Sequence, residues 1–221
     1  MRNKNPDKRI KYMREVFAPE DDVLRSVREE LEKTPWPIQI GAEEGRFLQF
    51  LVNISRAKKI VEVGTLAGYS TLWLAKSLPE DGHIFTIEKN PQSAEISRKN
   101  FARSKYHKKI SLIEGNAIDV LNSINDKAPF DMIFIDADKV SYPKYLDWAE
   151  KNIRAGGLIV GDNTFLFGTV YEEKIPKEAD VSKAAHEAMK EFNRRLADPR
   201  KYLSFMLPSQ EGMTIAMRLP D

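Results

Sequence analysis

The fold is decided by the stretch Ile60-Val61-Glu62-Val63-Gly64-Thr65-Leu66-Ala67-Gly68-Tyr69-Ser70. A short, mostly apolar run leads into a turn whose two glycines stand four positions apart, and a segment of helical length follows. Glycine allows a sharp bend and a close approach of the backbone to a ligand. The stretch therefore predicts a strand, a turn and a helix, and the turn is either a ligand cleft or only a tight structural connection.

The same alternation of strand and helix continues outward from this stretch. Five strands are predicted, at Ile60–Val63, His83–Ile87, Ile110–Ile113, Met132–Ile135 and Leu158–Val160. Helices are predicted between them at Tyr69–Ser77, Pro91–Ser104, Ala117–Asn125 and Tyr142–Ile153. Pro91 suits the first turn of its helix after Asn90, and Ala155-Gly156-Gly157 is expected to stop a helix before the next strand. Such alternation is typical of a parallel sheet covered by helices on both faces.

The two ends of the chain have different patterns. Near the carboxyl end we predict a helix at Val181–Leu196 and two strands, Tyr202–Leu207 and Met213–Arg218, that form an antiparallel edge. Before residue 59 three helices are predicted, at Asp7–Phe17, Glu20–Lys33 and Glu43–Ile54. We therefore expect an α/β fold with a doubly wound, mostly parallel seven-stranded sheet. It forms one domain over residues 1–221, with a helical attachment (1–58) and an α/β core (59–221).

Composition excludes several function classes. The 221 residues include no Cys, which excludes disulfides, thiolate zinc sites, iron–sulfur clusters and cysteine nucleophiles. The net charge of +2 is too small to indicate nucleic-acid binding by itself. No apolar run is long enough to cross a bilayer, and the first nine residues lack the apolar stretch of a secretory signal. We expect a cytoplasmic protein that does not bind membranes.

Three strand ends indicate the kind of cofactor. The turn after the first strand has Gly64 and Gly68 but Leu66 at the middle glycine position of dinucleotide folds, and it lacks a phosphate loop. Glu88 ends the second strand, where a carboxylate can bind both hydroxyls of a ribose. The third strand leads into Glu114-Gly115-Asn116-Ala117-Ile118-Asp119, whose small residues and polar backbone can border an adenine ring. Together these features predict S-adenosylmethionine, a nucleoside cofactor without phosphates.

Oxygen donors follow the fourth and fifth strands. Asp136, Asp162 and Asn163 are expected to converge, because the carboxyl ends of neighbouring parallel strands meet. Two carboxylates and an amide suit Mg²⁺, with Mn²⁺ or Ca²⁺ as alternatives. Taken singly, Asp136 or Asp138 has the alternative role of a helix cap or turn residue. Lys139 is either an ion-pair partner of these acids or a general base.

The chain resembles a known family at six stretches: Glu43–Leu48, Val61–Ser70, Leu78–Gly82, Phe134–Lys139, Gly156–Ile159 and Asp162-Asn163. They resemble motifs of the cation-dependent, S-adenosylmethionine-dependent O-methyltransferases. That family includes plant caffeoyl-coenzyme A 3-O-methyltransferase, bacterial relatives and, more distantly, catechol O-methyltransferase. The resemblance covers roughly residues 35–219. Plant members carry Trp-Asn shortly after the metal-binding Asp-Asn pair, where this chain has Leu166-Phe167.

The resemblance implies a role for each matching residue. The implied cofactor contacts are Glu62, Gly64, Leu66, Ser70, Glu88, Ala117 and Asp138. The implied metal ligands are Asp136, Asp162 and Asn163, and Lys139 is the implied base, so that Asp136 and Lys139 are the expected catalytic residues. The implied fold is the Rossmann-like fold of class I methyltransferases. The implied reaction moves a methyl group from S-adenosylmethionine to a metal-chelated hydroxyl of a small catechol-like or vicinal-diol acceptor.

Two other functions stay open. One is methylation of a hydroxylated wobble uridine in tRNA, as in some bacterial relatives, and its motivation is two basic groups: Arg98–Lys109, and Arg194, Arg195, Arg200 and Lys201. The alternative interpretation of Arg98–Lys109 is a solvated helix end and loop without a binding function. The other function is a non-catalytic cofactor-binding protein. Relatives generally form homodimers, and the apolar residues of Tyr12–Phe17 and Trp36–Ile40 belong either to such an interface or to the core.

Overall fold

A computed structural model describes residues 8–33 and 38–220. The helices are α1 (Lys8–Phe17), α2 (Asp22–Glu32), α3 (Ala42–Ser55), α4 (Tyr69–Ser77), α5 (Pro91–Ala102), α6 (Ala117–Ser123), α7 (Tyr142–Asn152) and α8 (Lys183–Leu196). The strands are β1 (Lys59–Val63), β2 (His83–Glu88), β3 (Ile110–Glu114), β4 (Phe130–Ile135), β5 (Ile153–Asp162), β6 (Tyr202–Leu207) and β7 (Met213–Arg218). They form a seven-stranded sheet in the order β3-β2-β1-β4-β5-β7-β6. The predicted α/β fold is confirmed, including the antiparallel pairing of β7 with β5 and β6.

The chain divides into two compact units, residues 1–117 and 118–221. In the first unit β1 pairs in parallel with β2, and β2 with β3. Helices α1 to α3 lie in this unit together with these strands, and α3 packs against α4. Gly45 of α3 is required at that contact, because a Cβ there would lie 2.3 Å from the Trp73 ring. The expectation of a single domain over 1–221 stays a prediction.

The second unit places β4 and β5 side by side in parallel. Ile135 lies opposite Gly161 in the register, so the carboxyl ends of the two strands are level. α8 begins at Lys183 rather than at the predicted Val181, because Ser182 caps it by accepting a hydrogen bond from the Ala185 amide at 3.1 Å. The level strand ends are the feature that positions the candidate site of this unit.

The predicted helix stop at Ala155-Gly156-Gly157 is wrong, because α7 has already ended and β5 already begun at Ile153. Phe130 pairs with Ile153 and Met132 with Leu158, so a step of two residues along β4 matches a step of five along β5. The extra residues form a bulge, in which the first glycine of the pair takes a φ of 73°. Strand pairing at Ile153 therefore overrides a local sequence that is typical of a helix end.

Several sequence predictions lie at the margins of the described residues. Asp7, predicted to begin the first helix, and Trp36, named as an interface or core residue, lie outside them. Ile38 is exposed and Ile40 is buried. Within residues 8–33 and 38–220, no helix is long and apolar enough to cross a membrane.

Candidate active site

The turn after β1 needs both of its glycines. Gly64 has a φ of 101° and its amide donates to the carbonyl of Ile87 at 3.0 Å, which ties the end of β1 to β2. Gly68 has a φ of 85° directly before α4. A Cβ on Gly68 would lie 2.3 Å from the Phe101 ring. The turn is thus held close to its neighbours by backbone that only glycine adopts readily.

Glu62, a predicted cofactor contact, is fully buried at the end of β1. Ser70 donates to one carboxylate oxygen at 2.6 Å, and Thr86 donates to the other at 2.6 Å. Thr71 donates to that second oxygen as well. A buried carboxylate is costly unless it is hydrogen-bonded, and three hydroxyls meet that need here. In this structure Glu62 therefore joins β1 to α4 and β2, and it holds Ser70, another predicted contact, beside it.

Glu88, the predicted ribose ligand, lies partly exposed at the end of β2. Its carboxylate accepts hydrogen bonds from the amides of Leu66 and Asn90, both at 2.8 Å. The Leu66 amide, a predicted cofactor contact, is therefore directed at Glu88, and Leu66 has a strained φ of 51°. The structure brings these two predicted residues into direct contact.

Ala117 begins α6 and is half-buried. The turn that precedes it is attached to β2, since the Gly115 amide donates to the Glu88 carbonyl at 2.9 Å. Glu62, Gly64, Leu66, Ser70, Glu88 and Ala117 all belong to the first compact unit. Their contacts with a cofactor stay predictions.

In the second unit, Asp136 follows β4 and is partly buried. The ammonium of Lys139 lies 3.2 Å from its Oδ1 atom. Lys139 also donates to the Tyr142 hydroxyl at 2.8 Å, and its side chain is only 14% exposed. The ion pair that the sequence offered as one role for Lys139 is therefore present.

Tyr142 joins the ends of the two strands. Its fully buried hydroxyl lies 3.0 Å from the carbonyl oxygen of Ile135 in β4 and 2.8 Å from that of Asp162 in β5. Burial raises the pKa of this hydroxyl, and the charges of Asp136 and Asp162 raise it further. Tyr142 carries no sequence signal for this role beyond its position three residues after Lys139.

Asp162 ends β5 and is fully buried, and Asn163 follows it with a φ of 55°. Ile135 and Gly161 are opposite one another, and Asp136 and Asp162 are the residues that directly follow this opposed pair. The convergence of the Asp136, Asp162 and Asn163 side chains on one cation stays a prediction. Among the residues described, no cluster of three or more His, Asp or Glu side chains is arranged for a metal. The predicted set holds two carboxylates and an amide, so it is not such a cluster.

Asp138 has a structural role in this chain. One carboxylate oxygen accepts a hydrogen bond from the Ser141 amide at 3.1 Å and caps the 3₁₀ turn Lys139–Ser141. The other accepts from the Tyr145 hydroxyl at 2.7 Å. Burial and this bond raise the pKa of Tyr145. The cap predicted as one alternative for Asp138 is present, and its contact with a cofactor stays a prediction.

The segment after Asn163 has unusual backbone. Leu166, Phe167 and Gly168 take positive φ angles of 48°, 55° and 78°. Leu166 is buried, whereas Phe167 is 50% exposed. Strained backbone of this kind clusters at functional sites, and here it directs an aromatic ring outward five residues after Asp162.

The two basic groups are largely paired with acids. Arg98 pairs with Glu95 and Glu114, Lys99 with Glu95, Arg103 with Glu30 and Lys109 with Glu80. In the other group, Arg195 pairs with Asp147, Glu150 and Glu191, Arg200 with Asp198 and Lys201 with Glu150. Lys105, Tyr106 and Lys108 help to line a hollow of about 430 Å³. The pairing reduces the positive field that would attract a nucleic acid.

The chain is similar to known methyltransferases over nearly its full length. Residues 14–219 match the family model described as "O-methyltransferase". A catechol O-methyltransferase of Niastella koreensis is 40% identical over 76% of this chain and 77% of its own. A caffeoyl-CoA O-methyltransferase of Populus kitakamiensis is 32% identical over 94% of this chain and 91% of its own.

A solved structure supports the same relationship. The O-methyltransferase from Bacillus cereus, in complex with SAH, is 32% identical. It superposes with a TM-score of 0.83 over 94% of this chain and 96% of that one. The glycine turn after β1 and the level ends of β4 and β5 are consistent with this relationship. The match over residues 14–219 shows that the chain belongs to the O-methyltransferase family.

Proposed function

We propose that this chain transfers the methyl group of S-adenosylmethionine to a hydroxyl of a small catechol-like or vicinal-diol acceptor, with the aid of a divalent cation. The observation that carries the proposal is the pairing of Ile135 with Gly161, which places Asp136 and Asp162 at level strand ends. Lys139 adds a partly buried ammonium beside Asp136. The proposal thus joins acids, an amide and a lysine in one reaction.

The donor set fits a hard divalent cation. Asp136, Asp162 and Asn163 supply two carboxylates and an amide oxygen, and such ligands suit Mg²⁺, Mn²⁺ or Ca²⁺. Two contacts support the closeness of Asp136 and Asp162: Lys139 contacts both Asp136 and the Tyr142 hydroxyl, and that hydroxyl lies 2.8 Å from the Asp162 carbonyl oxygen. When bound, a cation of this kind supplies positive charge that favours the deprotonated form of an acceptor hydroxyl.

Lys139 is the residue placed to take a proton. Its ammonium contacts Asp136 at 3.2 Å and Tyr142 at 2.8 Å, so the side chain is held at one point. In its neutral form Lys139 accepts the proton that the acceptor hydroxyl loses as that oxygen takes the methyl group. Asp136 and Tyr142 orient Lys139 for this transfer.

The first unit supplies the features expected for S-adenosylmethionine. Glu88 presents a partly exposed carboxylate held by two backbone amides, and this suits the ribose hydroxyls of a nucleoside. Gly64 is half-buried and carries no side chain, so a ligand can approach its backbone closely. The Bacillus cereus relative in complex with SAH supports the same cofactor.

The acceptor class follows from the relatives and from one exposed ring. The relatives are named for catechol and caffeoyl-CoA, and a catechol carries the vicinal oxygens that two-point chelation requires. Phe167 offers an exposed aromatic face for a phenolic ring. We therefore expect small aromatic diols to be better acceptors than isolated hydroxyls.

The test is methyl transfer by purified protein, with radiolabelled S-adenosylmethionine, Mg²⁺ and a panel of catechols and matched monophenols. We expect transfer to catechols only, its loss with EDTA and its return with excess Mg²⁺. Transfer that is unaffected by EDTA would remove the cation from the proposal. Absence of transfer to any vicinal diol would contradict the acceptor class.

A tRNA acceptor is the second candidate, supported by Lys105, Tyr106 and Lys108 at the hollow described above. The same assay with bulk tRNA from cells that lack the gene separates the two candidates. We expect no label in tRNA, because acids pair with most of the other basic residues. A non-catalytic protein would give no transfer in either assay.

We also expect two copies of the chain to associate. Within the described residues α1 buries none of its side chains, and Tyr12, Val16 and Phe17 are more than half exposed. An exposed apolar stripe of this kind is typical of a surface that a partner covers. Sedimentation of the native chain and of Phe17→Glu checks this, and a native chain that stays monomeric at micromolar concentration would contradict it.

A further inference from the structure

Side chains of helix α8 contact backbone carbonyl oxygens of the segment that follows β5. His186 contacts the carbonyl of Thr169 at 3.0 Å, and Lys190 donates to that of Glu172 at 2.8 Å. Asn193 donates to the carbonyl of Thr164 at 2.9 Å. Steps of four and three residues place these side chains on one face of the helix. One face of α8 therefore holds the backbone on both sides of the positive-φ residues Leu166, Phe167 and Gly168.

The Asn193 contact is the nearest of the three to the oxygen donors. Thr164 directly follows Asn163, and it is fully buried. The Asn193 amide is itself oriented, because its oxygen accepts a hydrogen bond from the hydroxyl of Thr214 in β7 at 3.0 Å. Thr214 lies opposite Gly161 of β5 in the sheet register. Asn193 thus links β7 to the residue after the donor pair.

Thr164 is held on both sides. Its amide donates to the Gly212 carbonyl at 3.0 Å, and its carbonyl accepts from Asn193. The next amide, of Phe165, donates to the Glu211 carbonyl at 2.9 Å. Asn163 keeps a left-handed φ of 55°, and such strain persists only where the surroundings determine it. The bonds on Thr164, together with the bond from the Leu166 amide to the Asn163 carbonyl at 2.9 Å, are surroundings of this kind.

We propose that Asn193 and Thr214 are positioning residues that set the affinity of the Asp162–Asn163 donor pair for a divalent cation. The inference rests on the proposed function. Neither side chain is proposed as a metal ligand. Asn193 acts through the backbone of Thr164, and Thr214 acts through Asn193. Partners that orient the ligands of a metal commonly change its affinity about 10- to 100-fold when they are removed.

The first unit offers a matched control. Asn100 of α5 is buried and donates to the Ala67 carbonyl at 2.9 Å, within the glycine turn after β1. Arg103 donates to its side-chain oxygen, so this amide is oriented in the same way as that of Asn193. Asn193→Ala and Asn100→Ala therefore remove the same group from two different loops.

The experiment measures the Kd of Mn²⁺ and of S-adenosylhomocysteine by calorimetry for the native chain and each variant. Asn193→Ala should raise the Kd of Mn²⁺ at least about 10-fold and leave the Kd of S-adenosylhomocysteine within about 2-fold of the native value. Asn100→Ala should raise the Kd of S-adenosylhomocysteine and leave that of Mn²⁺ within about 2-fold. Thr214→Val should also raise the Kd of Mn²⁺. Thr214→Ser, which keeps the hydroxyl, should bind Mn²⁺ with the native Kd. Thermal denaturation of each variant checks that it is folded.

The outcomes separate this inference from the proposed function. A native chain that binds Mn²⁺, beside folded Asn193→Ala and Thr214→Val variants that bind it equally well, would overturn the positioning role alone. Equal losses for both ligands in Asn193→Ala would also overturn it, because that result indicates general damage to the fold. A native chain without affinity for Mn²⁺ would overturn the proposed use of a cation, and this inference with it.

Discussion

The hydroxyl of Tyr142 lies 2.8 Å from the carbonyl oxygen of Asp162, so the helix that follows β4 is attached to the end of β5. Tyr142→Phe removes this contact and the group that accepts a hydrogen bond from Lys139. We expect the free energy of unfolding to fall by about 1–3 kcal/mol, because buried carbonyls lose a donor. Urea unfolding and methyl-transfer assays measure the two effects.

Transfer by Tyr142→Phe should fall about 10-fold, since Lys139 loses one of the two contacts that orient it. Tyr106→Phe is the control, because Tyr106 belongs to the first unit, whereas Lys139 and Tyr142 belong to the second. Native activity and stability in Tyr142→Phe would show that the hydroxyl does not organise the site.

Asp162→Ala separates chemistry from cofactor binding. Transfer to a catechol should fall at least about 100-fold, because the variant loses one of two carboxylates expected to hold the cation. The Kd of S-adenosylhomocysteine should stay within about 2-fold, as its expected contacts other than Asp138 lie in the first unit. Asp126→Ala, an exposed acid of the same unit as Asp162, should keep native activity. Turnover by Asp162→Ala at the native rate would argue against the donor set.

The turn after β1 tests a steric requirement. Gly68 and Gly156 both have positive φ, of 85° and 73°, so Ala at either position costs about 1–2 kcal/mol from the backbone. At Gly68 the new Cβ also meets the Phe101 ring at 2.3 Å, whereas at Gly156 it meets only the flexible end of Arg154 at 3.2 Å.

Gly68→Ala should therefore lower the free energy of unfolding by about 3 kcal/mol or more in total, which is a larger loss than that caused by Gly156→Ala. Gly68→Ala should also weaken the binding of S-adenosylhomocysteine, whereas Gly156→Ala should leave that binding unchanged. Unfolding in urea and calorimetry give the two readings, and equal stability of both variants would rule out the clash with Phe101.

Phe167 tests the acceptor proposal. Phe167→Ala should raise the KM for catechols about 2- to 10-fold with little change in kcat, because an aromatic contact contributes mainly to binding. Phe205→Ala is the matched control, since Phe205 is similarly exposed on β6. An unchanged KM in Phe167→Ala would place the acceptor ring elsewhere.

The order of strands and helices was readable from the sequence, because alternation of apolar residues and the capping of helices are local properties. Asn90 and Pro91 begin α5 as predicted, with the Asn90 side chain accepting from two amides of the first turn. The glycine pair at 156 and 157 shows the limit of this logic. Its local sequence suits a helix end, but pairing of Ile153 with Phe130 had already started the strand.

The sequence by itself determined the α/β fold and the residue types at the strand ends, including Asp136 and Asp162, since each stands at the end of a recognisable apolar strand. Only the tertiary structure showed that Tyr142 joins two strand ends and that Asn193 holds the carbonyl of Thr164. The physical reason is distance along the chain. Hydrogen bonds between residues about 20 or 30 positions apart leave no periodic pattern, so packing alone decides which polar side chains meet.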